Sequence, residues 1–580
     1  ERRYGKKLDA AQLVLQPTGK EHSGDFTLIC FALSKLLGGS PEQIAGSIGE
    51  EVLKSSAYVS GYNVIKGFLN LELKDYCWLE VFHQVLRLPG FGQLAAKEES
   101  IMVEYSSPNT NKPLHLGHLR NNFLGHSLAL ILEAAGHKVV KVNLVNDRGI
   151  HICKSMVAYE MDSAQPSPSA DRKGDHLVGD YYVAFDRHYK AQVAALVSDG
   201  LSQEQAEQQA PVMLQAQELL RKWEAGDPKT LDLWRKMNGW VYDGFQVTYE
   251  AIGVAFDHTY YESNTYLLGK DIIEEGLQKG VFYRKPDGSV WIDLKDEKLD
   301  EKLVLRSDGT SVYITQDLGT ADLKYSDFHC KRSIYVVGNE QDYHFKVLFA
   351  ILKKLGRPYA DGLYHMSYGM VELPAGRMKS REGTVVDADD LVAEMIQTAA
   401  THTTELGKTE GMPEEEAQKL YRMLGLGALK YFLLKVDPKK KMLFNPEESV
   451  QFQGHTGPFI QYTHARIRSI VRRAEQEQVD LSGTNLASPE TLLLTERLLL
   501  SHIYQFPAAL EQAAREYSPA LLANYAFDLA KEYNRWYAEV PIFQSGNQEL
   551  IRFRVQLSAL TGQTIRRAMQ LLGIEVPERM

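Results

Sequence analysis

The chain has 580 residues, 44% hydrophobic and 24% charged, with a mean hydropathy of −0.30, which predicts about three or four domains of ordinary size. A net charge of −10 excludes the overall basic field that draws many proteins onto nucleic acid, so any RNA contact must come from local patches. Cys30, Cys77, Cys153 and Cys330 are scattered without a CxxC pair, which argues against a zinc ribbon or a disulfide framework, and no apolar run approaches the roughly 20 residues needed to cross a bilayer.

Residues 1–97 read as a separate α+β unit. Leu28, Phe31, Leu33, Leu36 and Leu37 recur at helical spacing, with Asp25 as the expected N-cap and Gly38 as the stop. Ser40-Pro41-Glu42-Gln43 opens a second helix as a capping box with proline in its first turn. The segment 67–73 reads as a strand, and Leu88-Pro89-Gly90-Phe91-Gly92 as a linker.

Ile101-Met102-Val103-Glu104-Tyr105 is a short buried strand. A polar loop over 106–113 leads into a helix over about 116–135 that stops at Gly136, and a strand over 138–145 follows at once. Strand, helix and strand of these lengths predict a parallel βαβ unit of a Rossmann-like doubly wound sheet. A second half returns with the strand 333–337 and a helix from about Asp342 to Leu355. Between the halves lie insertions at about 160–235, polar and helix-rich, and about 260–310, with a hairpin turning at Asp287-Gly288. The expected α/β catalytic domain is therefore 98–390. From there strand signals fade, and 391–580 reads as an all-α domain with helices over 519–537, capped by Ser518, and 550–572.

One loop carries the chemistry. Ser107-Pro108-Asn109-Thr110-Asn111-Lys112-Pro113-Leu114-His115-Leu116-Gly117-His118 lies where a parallel strand hands over to a helix. Such a helix start offers unsatisfied N–H groups and partial positive charge to a phosphate, and two imidazoles add hydrogen bonds as charge develops. Gly117 would let a flat ligand such as adenine approach the backbone. Neither GxGxxG nor GxxxxGK[ST] is present. No third metal ligand accompanies His115 and His118 in sequence, so no metal site is expected there.

This segment resembles the HIGH signature of class I aminoacyl-tRNA synthetases, and Ser107-Pro108-Asn109, Lys112 and Gly117-His118-Leu119-Arg120 look like the arginyl-tRNA synthetases. The resemblance spans most of the chain. Asn143-Leu144-Val145-Asn146-Asp147-Arg148-Gly149 follows at the family's distance, with Asn146 and Arg148 departing from its usual Gly-Asp-Trp-Gly. Gly376-Arg377-Met378-Lys379-Ser380-Arg381-Glu382-Gly383 is similar to the mobile KMSKS loop. Here Arg377 and Ser380 stand in the lysine places and Lys379 is shifted by one. The resemblance implies ATP contacts from His115, Gly117, His118, Met378, Lys379, Ser380 and Arg381, catalytic roles for His115, His118 and Lys379, and Lys112 compensating for the altered loop.

Tyr313-Ile314-Thr315-Gln316-Asp317 resembles the family's Tyr-x-Thr-x-Asp segment, whose Tyr and Asp hold the guanidinium of arginine. By the same resemblance Asn109, Asn143, Gln341 and Glu104 meet the polar groups of the amino acid, with Glu262 a further carboxylate near its side chain. Residues 454–466, Gly454 to Arg466, resemble the helical anticodon-binding domain, where rings beside basic groups suit splayed-out bases. Phe459, Tyr462, Arg466, Trp536, Tyr537 and the closing Met580 are the expected tRNA contacts. The N-terminal unit resembles the appended domain that touches the tRNA elbow.

The implied activity activates L-arginine with ATP, accompanied by Mg2+, and passes it to the terminal 2′-hydroxyl of arginine tRNA. A cytoplasmic monomer without membrane contact is expected. A small HxGH nucleotidylyltransferase, another class I synthetase and a tRNA-binding relative without activity remain open at this point.

Overall fold

Local sequence at the N-terminal unit is overruled by pairing. In the computed structural model Phe26–Ile29 is a strand, not the first turn of a helix. It pairs antiparallel with 68–71 inside a four-stranded sheet, and the Asp25 carboxylate accepts the N–H of Leu73 at 2.7 Å instead of capping a helix. The helix begins at Phe31 and ends at Gly38, whose φ of 76° provides the expected stop. The capping box also forms: Gln43 N–H donates to Ser40 Oγ and Ser40 N–H to Gln43 Oε1, each at 3.2 Å. The structure describes residues 13–580 together with Tyr4 and Leu8, apart from Lys20, Pro89, 373–385 and 482–486.

The middle of the chain is built on five parallel strands: β1 (Ser100–Glu104), β2 (Lys138–Val145), β3 (His258–Tyr261), β4 (Arg332–Gly338) and β5 (Leu363–Tyr368). Their order is β5-β4-β1-β2-β3. The Rossmann-like doubly wound sheet expected from sequence is present. Helix α1 (Leu116–Ala134) connects β1 to β2, and Gly136, at φ 92°, turns the chain back into the sheet. Ile101 and Val103 face α1 in the main core, whereas Met102 and Val142 face the opposite side in a smaller cluster with Tyr260. This alternation explains why the strands read as continuous apolar runs: both faces are covered.

The insertion between β2 and β3 is helical. Its long members are α2 (Gly174–Ser198) and α3 (Pro228–Ile252). Between β3 and α4 (Tyr313–Phe328) lies a three-stranded antiparallel sheet that includes the expected hairpin, Tyr283–Arg284 against Val290–Ile292. Helix α5 (Asp342–Lys354) then joins β4 to β5.

Helices α6 (Ala388–Glu405), α7 (Glu414–Leu434), α8 (Gly457–Gln476), α9 (Pro519–Glu539) and α10 (Gln548–Leu571) dominate the rest. Strand character does not vanish there: Met442–Leu443 pairs parallel with Val371–Glu372. Ser518 precedes α9 as expected, but its side chain makes no capping bond. The helices share one apolar core with α1. From the last residue of α10 the chain crosses this bundle with alternate carbonyls captured by side chains. Leu571 O accepts from Ser127 Oγ (2.9 Å), Gly573 O from Lys430 Nζ (2.6 Å), Glu575 O from Gln461 Nε2 (2.8 Å) and Pro577 O from His464 Nδ1 (2.9 Å). Among the described residues no helix is long and apolar enough to cross a membrane.

Candidate active site

Strand order reverses between β1 and β4, so the crevice beyond their carboxyl ends has room for a ligand. His115 caps α1 from extended backbone at its mouth. Its Nδ1 accepts the Gly117 N–H at 3.1 Å, and His118 Nδ1 accepts the His115 N–H at 3.1 Å. An accepting Nδ1 leaves the proton of a neutral imidazole on Nε2. Both rings are neutral at physiological pH. Burial, helped by Lys112, lowers His115 to about 4, and burial, His115 and Lys112 hold His118 well below the histidine range. The rings lie side by side, centroids 3.8 Å apart. The pair thus caps the helix through Nδ1 and keeps two Nε2–H donors at a positive helix end, which suits phosphate oxygens.

Gly117 has a different neighbour from the one expected. A Cβ there would meet His115 Cε1 at 2.9 Å and Nδ1 at 3.1 Å, so the missing side chain makes room for the imidazole. Lys112 is half-buried beside the pair. Met378, Lys379, Ser380 and Arg381 lie outside the described residues. The segment after them runs beside the helix start: Leu116 N–H donates to Val386 O at 3.0 Å and Ala388 N–H to Leu114 O at 2.9 Å.

Tyr313 and Asp317 stand four residues apart on the first turns of α4 and so share a face, with Tyr313 76% exposed. His344, at the start of α5, donates Nε2–H to Asp317 Oδ2 at 2.6 Å. Glu262, just after β3, belongs to the same neighbourhood. Burial pushes its carboxyl up to about 7, Arg148 opposes that rise, and the negative charges of Asp147 and Asp317 add to it. Asn109 and Gln341 are exposed beyond the ends of β1 and β4. Asn109 is held by backbone pairing with Asn146.

Two further expected contacts are buried. Asn143 is 1% exposed and donates Nδ2–H to Tyr249 Oη at 3.4 Å. Glu104 is buried in an ion pair with Lys324 of α4. Arg148, a departure from the family pattern, is absorbed locally. Its guanidinium lies over Tyr266 (3.9 Å) and Trp223 (5.3 Å) and pairs with Glu224 at 2.9 Å. Asp147 is anchored by Ser263 and Tyr242, whose hydroxyls donate to it at 2.7 and 2.8 Å.

Comparison with known proteins follows the same lines. The family model described as "tRNA synthetases class I (R), catalytic domain" matches residues 83–445. "Arginyl tRNA synthetase N terminal domain" matches 2–73 and "DALR anticodon binding domain" 460–580. The chain is 57% identical over 576 residues to the arginine–tRNA ligase of Amoebophilus asiaticus (strain 5a2), covering 99% of this chain and 96% of that one. The chain belongs to the arginyl-tRNA synthetases.

The arginine–tRNA ligase of Bacteroides fragilis (strain YCH46) is 54% identical over 580 residues, covering 100% and 97% of the two chains. Among solved structures, the Thermus thermophilus arginyl-tRNA synthetase superposes with a TM-score of 0.79 at 25% identity, covering 98% of this chain and 96% of that one. The Plasmodium falciparum structure has a TM-score of 0.77 at 19% identity, covers 98% and 95% of the two chains, and bears on the fold alone. As a class I arginyl-tRNA synthetase the chain is an arginine–tRNA ligase, and ATP, arginine and its tRNA are the substrates.

The synthetase's helical domain brings Tyr462, Arg466 and Tyr537 together. The Arg466 guanidinium lies 5.0 Å from the Tyr462 ring and 5.1 Å from the Tyr537 ring, and Lys408 Nζ donates to Tyr462 Oη at 2.9 Å. Next to them is a cavity of about 520 Å³ that also reaches Arg473 and Phe543, a stacked pair 4.2 Å apart that the sequence did not signal. Phe459 and Met580 are half-buried against the core. Trp536 is a correction: it is 0% exposed, and a ring with no accessible face offers nothing for a base to stack on. Its neighbour Tyr537, a helical step of about 100° further round, is 39% exposed.

The described residues include one metal-sized cluster, Asp175, His176 and Asp389. It does not fit Mg2+, which takes oxygen ligands in near-octahedral geometry. A nitrogen occupies one corner, and Lys173 already supplies the cation, 3.4 Å from Asp175 and in contact with Asp389.

Proposed function

We propose that the reversal between β1 and β4 is the seat of arginyl-adenylate formation, with His115 and His118 as hydrogen-bond donors to the phosphates and Asp317 and Glu262 as acceptors for the guanidinium. The observation that carries this reading is the pair of neutral imidazoles whose Nδ1 atoms are spent on the helix start. Their Nε2–H groups then face whatever anion the helix end attracts.

ATP lies with its phosphates against this end. The arginine carboxylate attacks the α-phosphorus, the bond to the bridging oxygen breaks, and pyrophosphate departs. Negative charge grows on the phosphoryl oxygens as this happens, and two preset N–H donors with Lys112 beside them stabilise it more than they stabilise the ground state. Neutral rings suit the task, because they donate without first losing or gaining a proton. At the other end Asp317 and Glu262 offer carboxylates to a guanidinium, with Tyr313 at the rim and Asn109 and Gln341 toward the amino-acid backbone. In the second step the 2′-hydroxyl of the terminal adenosine attacks the activated carbonyl and AMP leaves. No covalent bond to the enzyme is needed; the chain positions and neutralises. Tyr462, Arg466 and Tyr537 supply a stacking and charged surface to the anticodon bases.

The decisive experiment is arginine-dependent ATP–pyrophosphate exchange, run with and without arginine tRNA. Asp317→Asn should lose arginine selectivity, and His115→Ala should lose rate with arginine affinity retained. Equal exchange with other amino acids in the unsubstituted enzyme would defeat the assignment of the pocket.

A further inference from the structure

Ser106 is the first residue after Tyr105 at the end of β1, and it is not glycine, yet its φ is +82°. A side chain in this left-handed region is strained, and it persists only where surrounding contacts over-determine it. Here they do. Ser106 is 2% exposed, its N–H donates to Asn121 Oδ1 at 2.6 Å, and its Oγ lies 2.7 Å from Tyr249 Oη. Asn121 is in turn fixed by donating to Val336 O of β4 at 2.7 Å. The strained turn sends the chain out of the sheet toward Asn109.

Tyr249 belongs to α3, in the insertion, and so does its neighbour Thr248. The Thr248 hydroxyl donates to Asp389 Oδ1 at 2.9 Å and receives Lys173 Nζ at 2.7 Å, while His176 Nε2 meets the other Asp389 oxygen at 3.1 Å. Asp389 N–H donates to Asp387 Oδ1 at 2.8 Å, and Asp387 is bridged to His115 by backbone pairing. Two consecutive buried residues of one helix thus hold two different segments of the proposed site, one leading to Asn109 and the other to His115.

We propose that α3 is the brace that sets the two halves of the active site in register, with Tyr249 a positioning residue for the arginine half through Ser106 and Thr248 a positioning residue for the ATP half through Asp389. This rests on the reading that Asn109 serves arginine and His115 serves ATP. A merely structural helix would give a different pattern of defects. Loss of packing alone lowers stability and active fraction without choosing a substrate.

The test is a cross-pattern of Michaelis constants in steady-state aminoacylation by the full chain with saturating arginine tRNA. Tyr249→Phe removes one oxygen and keeps the ring, and should raise KM for arginine by about fivefold or more while KM for ATP moves less than about twofold. Thr248→Val, equal in shape, should do the reverse. Ser106→Gly relieves the backbone and removes the same hydroxyl contact, so it should copy the arginine defect without losing thermal stability, and it stands in if Tyr249→Phe folds poorly. Equal shifts of both constants in each variant, or unchanged constants in well-folded protein, would overturn the proposal. Asn109→Ala and His115→Ala run in parallel. If they alter the constants for arginine and for ATP turnover while the α3 variants do not, the brace fails and the site assignment stands. If Asn109→Ala leaves arginine unaffected, the assignment itself fails and takes the brace with it.

Discussion

Among the described residues Asp317 bonds the fold through one oxygen: its Oδ2 accepts the Nε2–H of His344 at 2.6 Å. The histidine fixes the carboxylate plane, and on the proposed assignment Oδ1 is the oxygen that meets the guanidinium. Asp317→Asn keeps this shape but removes the charge, and should cost about 2–5 kcal/mol in arginine-dependent kcat/KM. The ratio of arginine to citrulline turnover should fall, since citrulline is the neutral isostere. His344→Gln should cost less, about 1 kcal/mol, because it disturbs only the orientation. A ratio unchanged in Asp317→Asn would put the guanidinium elsewhere.

On the proposed assignment the two imidazoles act as fixed neutral donors. Replacing either with alanine should slow pyrophosphate exchange by about 10²-fold with little change in arginine binding. Because burial takes His115 down to about 4, its protonation should not shape the rate between pH 6 and 8. Single-turnover rates across that range check this directly, and a rate step centred on pH 6.5 that vanishes in His115→Ala would contradict it.

Glu262 has the opposite problem. Burial raises its carboxyl to about 7, with Asp147 and Asp317 adding and Arg148 opposing. An arriving guanidinium favours the carboxylate, so arginine binding should release a proton near neutrality. Below pH 7 that proton must first be displaced, and KM for arginine should rise as pH falls from 7 to 6. Glu262→Gln should flatten the slope and weaken binding at pH 8, as read by titration calorimetry in two buffers of different ionisation enthalpy.

His176 links pH to stability. Its hydrogen bond to Asp389 raises its pKa first, burial opposes this, and the charges of Asp387, Asp175 and Asp389 add to the rise, with Lys173 nearby on the same acids. A histidine raised in the folded state contributes stability that is full below the unfolded value of about 6.5 and is lost as pH climbs through the folded value. Melting temperature should therefore decline as pH rises above about 6.5 by more in the unsubstituted protein than in His176→Asn. Parallel profiles for the two proteins would remove His176 from the linkage.

Sequence reached as far as local pattern reaches. The run 101–105, the helix stopped by Gly136 and the strand beyond it were readable because each carries its own periodicity and punctuation. So was the loop with both histidines. Asp25 was misread because its role depends on Leu73, 48 residues away, and on a strand whose partner supplies the hydrogen bonds. Trp536 and Tyr537 are neighbours in sequence on different faces of α9, and only packing separates the buried ring from the exposed one. The partners that tune the site, Lys324 for Glu104 and Tyr249 for Ser106, come from other elements, the latter 143 residues distant, and no spacing rule connects them. Gly117 was anticipated as a glycine with a purpose, but the neighbour it accommodates is His115.

The tail after α10 constrains evolution in an unusual way. The four captured acceptors, on Leu571 at the end of α10 and on Gly573, Glu575 and Pro577 beyond it, are all main-chain carbonyls, so these four hydrogen bonds do not themselves depend on which side chains the tail carries. Exchanging the Glu575 side chain leaves every acceptor in place, whereas deleting one residue between 572 and 576 shifts every carbonyl beyond it by one position along the chain. Side chains hold the tail as well, through Leu572 and Ile574 in the core and Glu578 paired with Arg468, but its length is registered by backbone alone, and one of the donors that registers it, Ser127, lies in the helix that begins at His115 and His118.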